Sequence, residues 1–139
     1  MKSITVIFLA VLLAAASAWA ATPARVLLIA AAEGNGDRDP RLAPYEANLR
    51  RIFRFDSFSL RSRASAQVSN KPSSVRLPGG MAVSLRETAN GPWQIAWREG
   101  DQTLLRSEVT VRPGRPAVLG GPVRKGQTLI LIVESAASP

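Results

Sequence analysis

The chain has 139 residues, no cysteine, no histidine, and 18 basic against 10 acidic residues, giving a formal net charge of +8. That composition excludes disulfides, Ser-His-Asp and Cys-His nucleophiles, and every His- or Cys-ligated zinc, haem or iron–sulfur centre. It also removes the usual general base near neutral pH. The apolar share of 46% suits one globular domain with a modest core.

Lys2 supplies a positive start, Ile4 to Ala16 is apolar apart from Thr5, and Ala18-Trp19-Ala20 forms an A-x-A site before Ala21. Residues 1–20 therefore read as a signal peptide and 21–139 as one β-rich domain, exported to the bacterial periplasm or secreted. An uncleaved anchor is the alternative, because the apolar run approaches the roughly 20 residues of a spanning helix. Its Ala-rich second half and small-residue end favour cleavage, which leaves no stable membrane span. The segment has no cysteine for lipidation. Apart from Lys2, Lys71 and Lys125, every basic residue is arginine, the residue that suits bidentate contact with phosphate and carboxylate. A GC-rich genome raises arginine over lysine as well, without selection for binding.

Arg25 to Ala32 (RVLLIAAA) is apolar on both parities, as in a strand covered on both faces. Gly34-Asn35-Gly36-Asp37 breaks it, and Asp39-Pro40 reads as an N-cap followed by a first-turn proline. Leu42, Tyr45, Leu49, Ile52 and Phe53 then follow at helical spacing, which predicts a helix over about 40–53. The clearest periodicity comes next. Phe58, Leu60, Ser62, Ala64, Ala66 and Val68 alternate with Ser59, Arg61, Arg63, Ser65, Gln67 and Ser69, predicting a long half-buried strand.

Asn70-Lys71-Pro72, Pro78-Gly79-Gly80, Asn90-Gly91-Pro92 and Glu99-Gly100-Asp101 are turn signals between short alternating strands. These carry Ser73–Leu77, then Met81, Val83 and Leu85, then Trp93, Ile95 and Trp97, and a strand from Thr103 to Arg112. Pro116 to Leu119 reads as a short return strand, Gly120-Gly121-Pro122 and Lys125-Gly126 as the brackets of a loop, and Leu129–Val133 as a central strand. With strands over about 25–32 and 57–134, the expected fold is mainly β. It is an antiparallel sandwich or small barrel of seven to eight strands with one N-terminal helix.

Little catalytic chemistry remains. No S-x-x-K motif is present, and Lys71 and Lys125 fall in turns. A paired-carboxylate hydrolase stays formally open, since it needs only two acids across a cleft. The pairs Gly79-Gly80 and Gly120-Gly121 lack the following helix of a phosphate-binding loop and read as turn residues with positive φ. Asn35, Asp37, Asp39 and Glu46 fall at ligand positions of a twelve-residue calcium loop, but Pro40 stands where glycine is needed and Asn35 where aspartate is usual. The simpler reading is a strand-to-helix loop capped by Asp39. No cofactor is expected.

Arg61, Arg63, Arg76, Arg86, Arg98, Arg106 and Arg112 all take the outward parity of their predicted strands. If the strands share a sheet, their guanidinium groups line one face and attract anionic polymers. Phe58, Trp93 and Trp97 have the opposite parity, so that face has no stacking platform for nucleic acid bases. The competing reading is a solvated charged face. Even mixing of Glu87, Glu99 and Glu108 among these arginines would remove the basis for binding.

Val109-Thr110-Val111-Arg112-Pro113-Gly114 followed by Val118-Leu119-Gly120-Gly121-Pro122 resembles a hairpin of the bacterial secretin domain. The resemblance covers about 14 residues of a chain too short for the ring-forming domain. It implies an envelope protein linked to secretion or pilus assembly, not a pore. The Asp39-Pro40-Arg41-Leu42 start and the Phe-rich strand also resemble small exported bacterial proteins, a likeness that implies no activity. The expected function is therefore that of a non-enzymatic envelope protein. Its outer sheet face would bind another protein, an anionic envelope polymer or a lipid surface, and not nucleic acid. An accessory of a secretion or surface-assembly system is the alternative, and an envelope hydrolase a more distant one.

Overall fold

The computed structural model describes residues 21–34, 36 and 38–137. The predicted signal segment lies outside them, as do Asn35 and Asp37. Eight strands form two antiparallel four-stranded sheets. The first has the order β2-β1-β8-β7, with β1 Thr22–Ala32, β2 Ser57–Val68, β7 Ala117–Arg124 and β8 Gln127–Ser135. The second is a meander of β3 Ser73–Leu77, β4 Met81–Glu87, β5 Trp93–Glu99 and β6 Gln102–Val109. A 3-10 turn, Pro40–Leu42, leads into α1, Ala43–Ile52, the single α-helix among the described residues. The arrangement is a sandwich.

Two apolar layers hold it together. Between the sheets, Val26, Leu28, Leu131 and Val133 meet Val83, Leu85, Ile95 and Trp97. On the other side of the first sheet, Leu27, Ile29, Ile130 and Ile132 pack with Leu42 and Leu49 of the helical segment. This double covering is why β1 and β8 are apolar on both parities, as buried strands are. Fully burying each aliphatic side chain contributes about 1.5–3 kcal/mol.

The twelve-residue alternation of β2 divides where the sequence shows no break. Leu28 pairs with Ser62 but Ile29 with Leu60, so Arg61 is an extra residue in a β-bulge. Residues of one sequence parity therefore serve both layers. Phe58 and Leu60 face the helix, while Ala64, Ala66 and Val68 face the second sheet.

The C-terminal part corrects three expectations. The short return is a longer strand, β7, which runs through Gly120-Gly121 to Arg124. It closes on β8 through Lys125 (φ 54°) and Gly126 (φ 76°), the left-handed pair of a tight hairpin. Gly79 and Gly80 do take positive φ, but Gly120 and Gly121 do not. These two make room instead: a Cβ on Gly121 would lie 2.2 Å from Trp97 Cζ3, and one on Gly120 3.3 Å from Phe53 Cε1. Finally, the strand expected over Thr103–Arg112 ends at Val109, and residues 110–116 cross from the second sheet to the first with an Arg112–Arg115 bridge around Pro113-Gly114.

The packing difference between the glycines is measurable by urea denaturation. Gly121→Ala should lose about 2–3 kcal/mol, because the fully buried Trp97 ring cannot yield without strain. Gly120→Ala should lose less, since Phe53 is only half-buried and can shift. Equal losses would refute the close approach.

Candidate functional site

Alternation on the second sheet sorts its residues cleanly. Met81, Val83, Leu85, Trp93, Ile95 and Trp97 point into the sandwich and are buried. The opposite parity leaves Ala82, Ser84, Arg86, Gln94, Ala96 and Arg98 on the outer face, joined by Arg76 of β3 and Arg106 of β6. The register arranges these in rows. Arg76 and Arg98 flank Ala82, Ser84 stands beside Ala96 and Ala96 beside Arg106, and Arg86 stands beside Gln94 and then Glu108. Small residues at the centre leave a shallow groove of about 420 Å³ walled by Arg86, Arg98 and Arg106. Arg86 lies four register positions from the Ala82–Arg98 pair, so the groove is roughly 13–14 Å long.

The structure thus brings together four of the seven expected arginines. Arg61 and Arg63 belong to β2 of the other sheet, where Arg61 donates to Gln127 Oε1 at 2.8 Å from its bulge. Arg112 lies in the crossover beyond β6. Parity alone could not separate them, because it tells inward from outward and not which sheet a strand joins.

Carboxylates are distributed the other way. Arg25 pairs with Glu134, Arg38 and Arg50 with Glu46, and Arg41 with Asp39, all around the first sheet and the helix. Arg124 of β7 pairs with Glu99 at 2.7 Å across the sandwich rim. Glu87 has inward parity opposite Trp93 at the end of β4. Of Glu87, Glu99 and Glu108, only Glu108 shares the outer face, where it lines one end of the groove beside Gln94. Among the described residues, Arg76, Arg86, Arg98 and Arg106 form no ion pair, and Arg86 donates to Gln94 Oε1 at 3.1 Å.

The two described members of the calcium-loop pattern hold the helix entrance. Asp39 accepts from the Arg41 guanidinium at 2.7 Å, from the Arg41 backbone N–H at 3.0 Å and from the Leu60 N–H at 2.9 Å. It therefore caps the 3-10 turn and ties that turn to β2. Glu46 serves Arg50 at 2.9 Å and Arg38 at 3.4 Å. No group of three or more acidic residues suited to a metal ion occurs among the described residues. The Arg41 guanidinium, then the Leu60 N–H, hold the Asp39 carboxyl well below the usual carboxylate range.

A feature that sequence reading missed lies under the helix. The Tyr45 hydroxyl donates to Glu134 Oε1 at 2.7 Å across a separation of 89 residues, which no local pattern reveals. Burial, then the Glu134 carboxylate, push its pKa up to about 12. No protein family, curated protein or solved structure matches this chain.

Asp39 carries a pH signature. A carboxylate whose pKa falls on folding stabilises the native state above its unfolded pKa of about 3.9, and that contribution fades as pH drops. Asp39→Asn should therefore be less stable than wild type at pH 7 in urea denaturation. The difference should shrink below about pH 4. A difference constant from pH 7 to pH 2.5 would contradict the assignment.

Proposed function

We propose that this is a non-enzymatic exported protein of the bacterial envelope that binds an anionic surface through the outer face of its second sheet. The observation that carries the reading is the segregation of charge. Arg76, Arg86, Arg98 and Arg106 share one face without carboxylate partners among the described residues, while the paired arginines lie elsewhere. An arginine serving only solubility can stand beside an acid without loss. Arg86, Arg98 and Arg106 around Ser84 and Ala96, with Arg76 beside Ala82, instead leave both charge and space for an incoming anion.

The chemistry of the face narrows the partner. The aromatic residues of β5 point inward, so the groove has no platform for bases or sugar rings. Guanidinium forks suit the phosphate oxygens of a lipid headgroup layer. The face is broad and shallow, as contact with an extended surface requires.

The test is co-sedimentation with vesicles of phosphatidylcholine alone or mixed with phosphatidylglycerol. Wild-type protein should bind only the mixed vesicles, more weakly as salt rises. Replacing Arg76, Arg86, Arg98 and Arg106 together by alanine should weaken binding at least tenfold, at about 1 kcal/mol or less per arginine. Arg61→Ala with Arg112→Ala should change it far less. Equal loss from both sets would mean that net charge, not this face, drives association.

A further inference from the structure

On the opposite side of the sandwich, a second cavity of about 440 Å³ opens between α1 and the first sheet. Arg25 of β1 and Arg63 of β2 line it from the helix-side parity that they share with Leu27, and Arg41 enters from the 3-10 turn. Leu27, Pro44 and Pro116 supply apolar walls. Glu134 stands 3.1 Å from Arg25 Nε and accepts the Tyr45 hydroxyl, so it fixes the positions of both. Arg41 uses Nε and one terminal nitrogen on Asp39 and Leu60, leaving its other terminal nitrogen without a partner among the described residues. Arg63 has no carboxylate partner there at all. The three guanidinium groups come from three separate chain segments.

We propose that this cavity binds the phosphate group of a small organic phosphate monoester, gripped by Arg63, Arg41 and Arg25. A planar carboxylate is satisfied by one guanidinium fork, whereas a tetrahedral oxyanion accepts donors from several directions. Convergence from β1, β2 and the 3-10 turn matches the second case. The organic part lies against Leu27 and the two prolines. Glu134 positions Arg25 and Tyr45 rather than touching the ligand. The site is independent of the outer arginine face, and either can exist without the other.

Tyr45 is the only tyrosine of the chain, so ring-labelled tyrosine reports from the cavity alone in an NMR titration. At constant ionic strength, phenyl phosphate should shift its resonance saturably with submillimolar affinity. Inorganic phosphate should bind about tenfold more weakly, for want of apolar contact, and acetate should leave the resonance unmoved. Arg63→Ala should weaken phenyl phosphate at least tenfold. Arg63→Lys, which keeps the charge but loses the fork, should weaken it by a smaller factor, and Arg98→Ala should have no effect. A resonance that phenyl phosphate does not move would overturn the proposal. So would affinity unchanged in both Arg63 variants, or an equal response to acetate. Equal affinity for inorganic phosphate would overturn the assignment to an ester.

Discussion

The structure depends on the antiparallel pairing of β1 with β8, which joins the first described strand to the last. Val26 stands opposite Val133, Leu27 opposite Ile132, Leu28 opposite Leu131 and Ile29 opposite Ile130. Every second pair faces the other sheet and the intervening pairs face the helix, so this one ladder forms the floor of both apolar layers. The four-stranded meander can form from neighbouring segments, but the ladder requires residues about a hundred positions apart to meet. Such non-local pairing has a large loop-closure cost and makes folding slow relative to helical domains of this size. In a chain without cysteine, no covalent link relieves that cost.

Two departures from regularity let the ladder serve two layers. Arg61 is inserted in β2, which turns Phe58 and Leu60 toward the helix after Ala64, Ala66 and Val68 have faced the meander. Gly121 in β7 has no side chain, and the Trp97 indole occupies the space a Cβ would take. β7 has an irregular register between Gly120 and Val123, beside that contact. Each irregularity reconciles a sheet of fixed two-residue period with neighbours of unequal bulk on its two sides.

These same positions mark the limit of what could be read from the sequence. The mainly β fold, the helix and most strands were legible, because apolar parity and turn residues act over a few neighbours; the choice of sandwich over barrel was not, since it depends on which distant strands pair. Trp93, Ile95 and Trp97 announced an inward face without reference to any distant residue. The bulge was not legible, since Arg61 sits in a perfect alternation and only the register with β1 exposes it as extra. Gly120-Gly121 misled for a related reason. Glycine serves both positive φ and close approach, and only the neighbouring Trp97 and Phe53 tell the two apart. The outer face was partly legible: parity placed Arg76, Arg86, Arg98 and Arg106 outward, as they stand, but could not tell that Arg61, Arg63 and Arg112 lie off that sheet.

Charge follows from this architecture as well. Around the first sheet the helix must be fastened over a doubly covered ladder, and ion pairs do part of that fastening. Asp39 joins the helix entrance to β2, Glu46 joins Arg38 to Arg50, and Glu134 joins Tyr45 to Arg25. The outer face of the meander has nothing to fasten, since its strands are held by their own hydrogen bonds and by Trp97 beneath. Arginines there stand without carboxylates for no structural reason that the fold supplies. On the first sheet, by contrast, Arg63 stands in a walled cavity with no carboxylate partner among the described residues. Positive charge without a carboxylate partner thus stands, among other places, in two of different shape, a broad face and a walled cavity. Shape, more than charge, then decides what each could take: an extended anionic surface on the one, a single compact anion in the other.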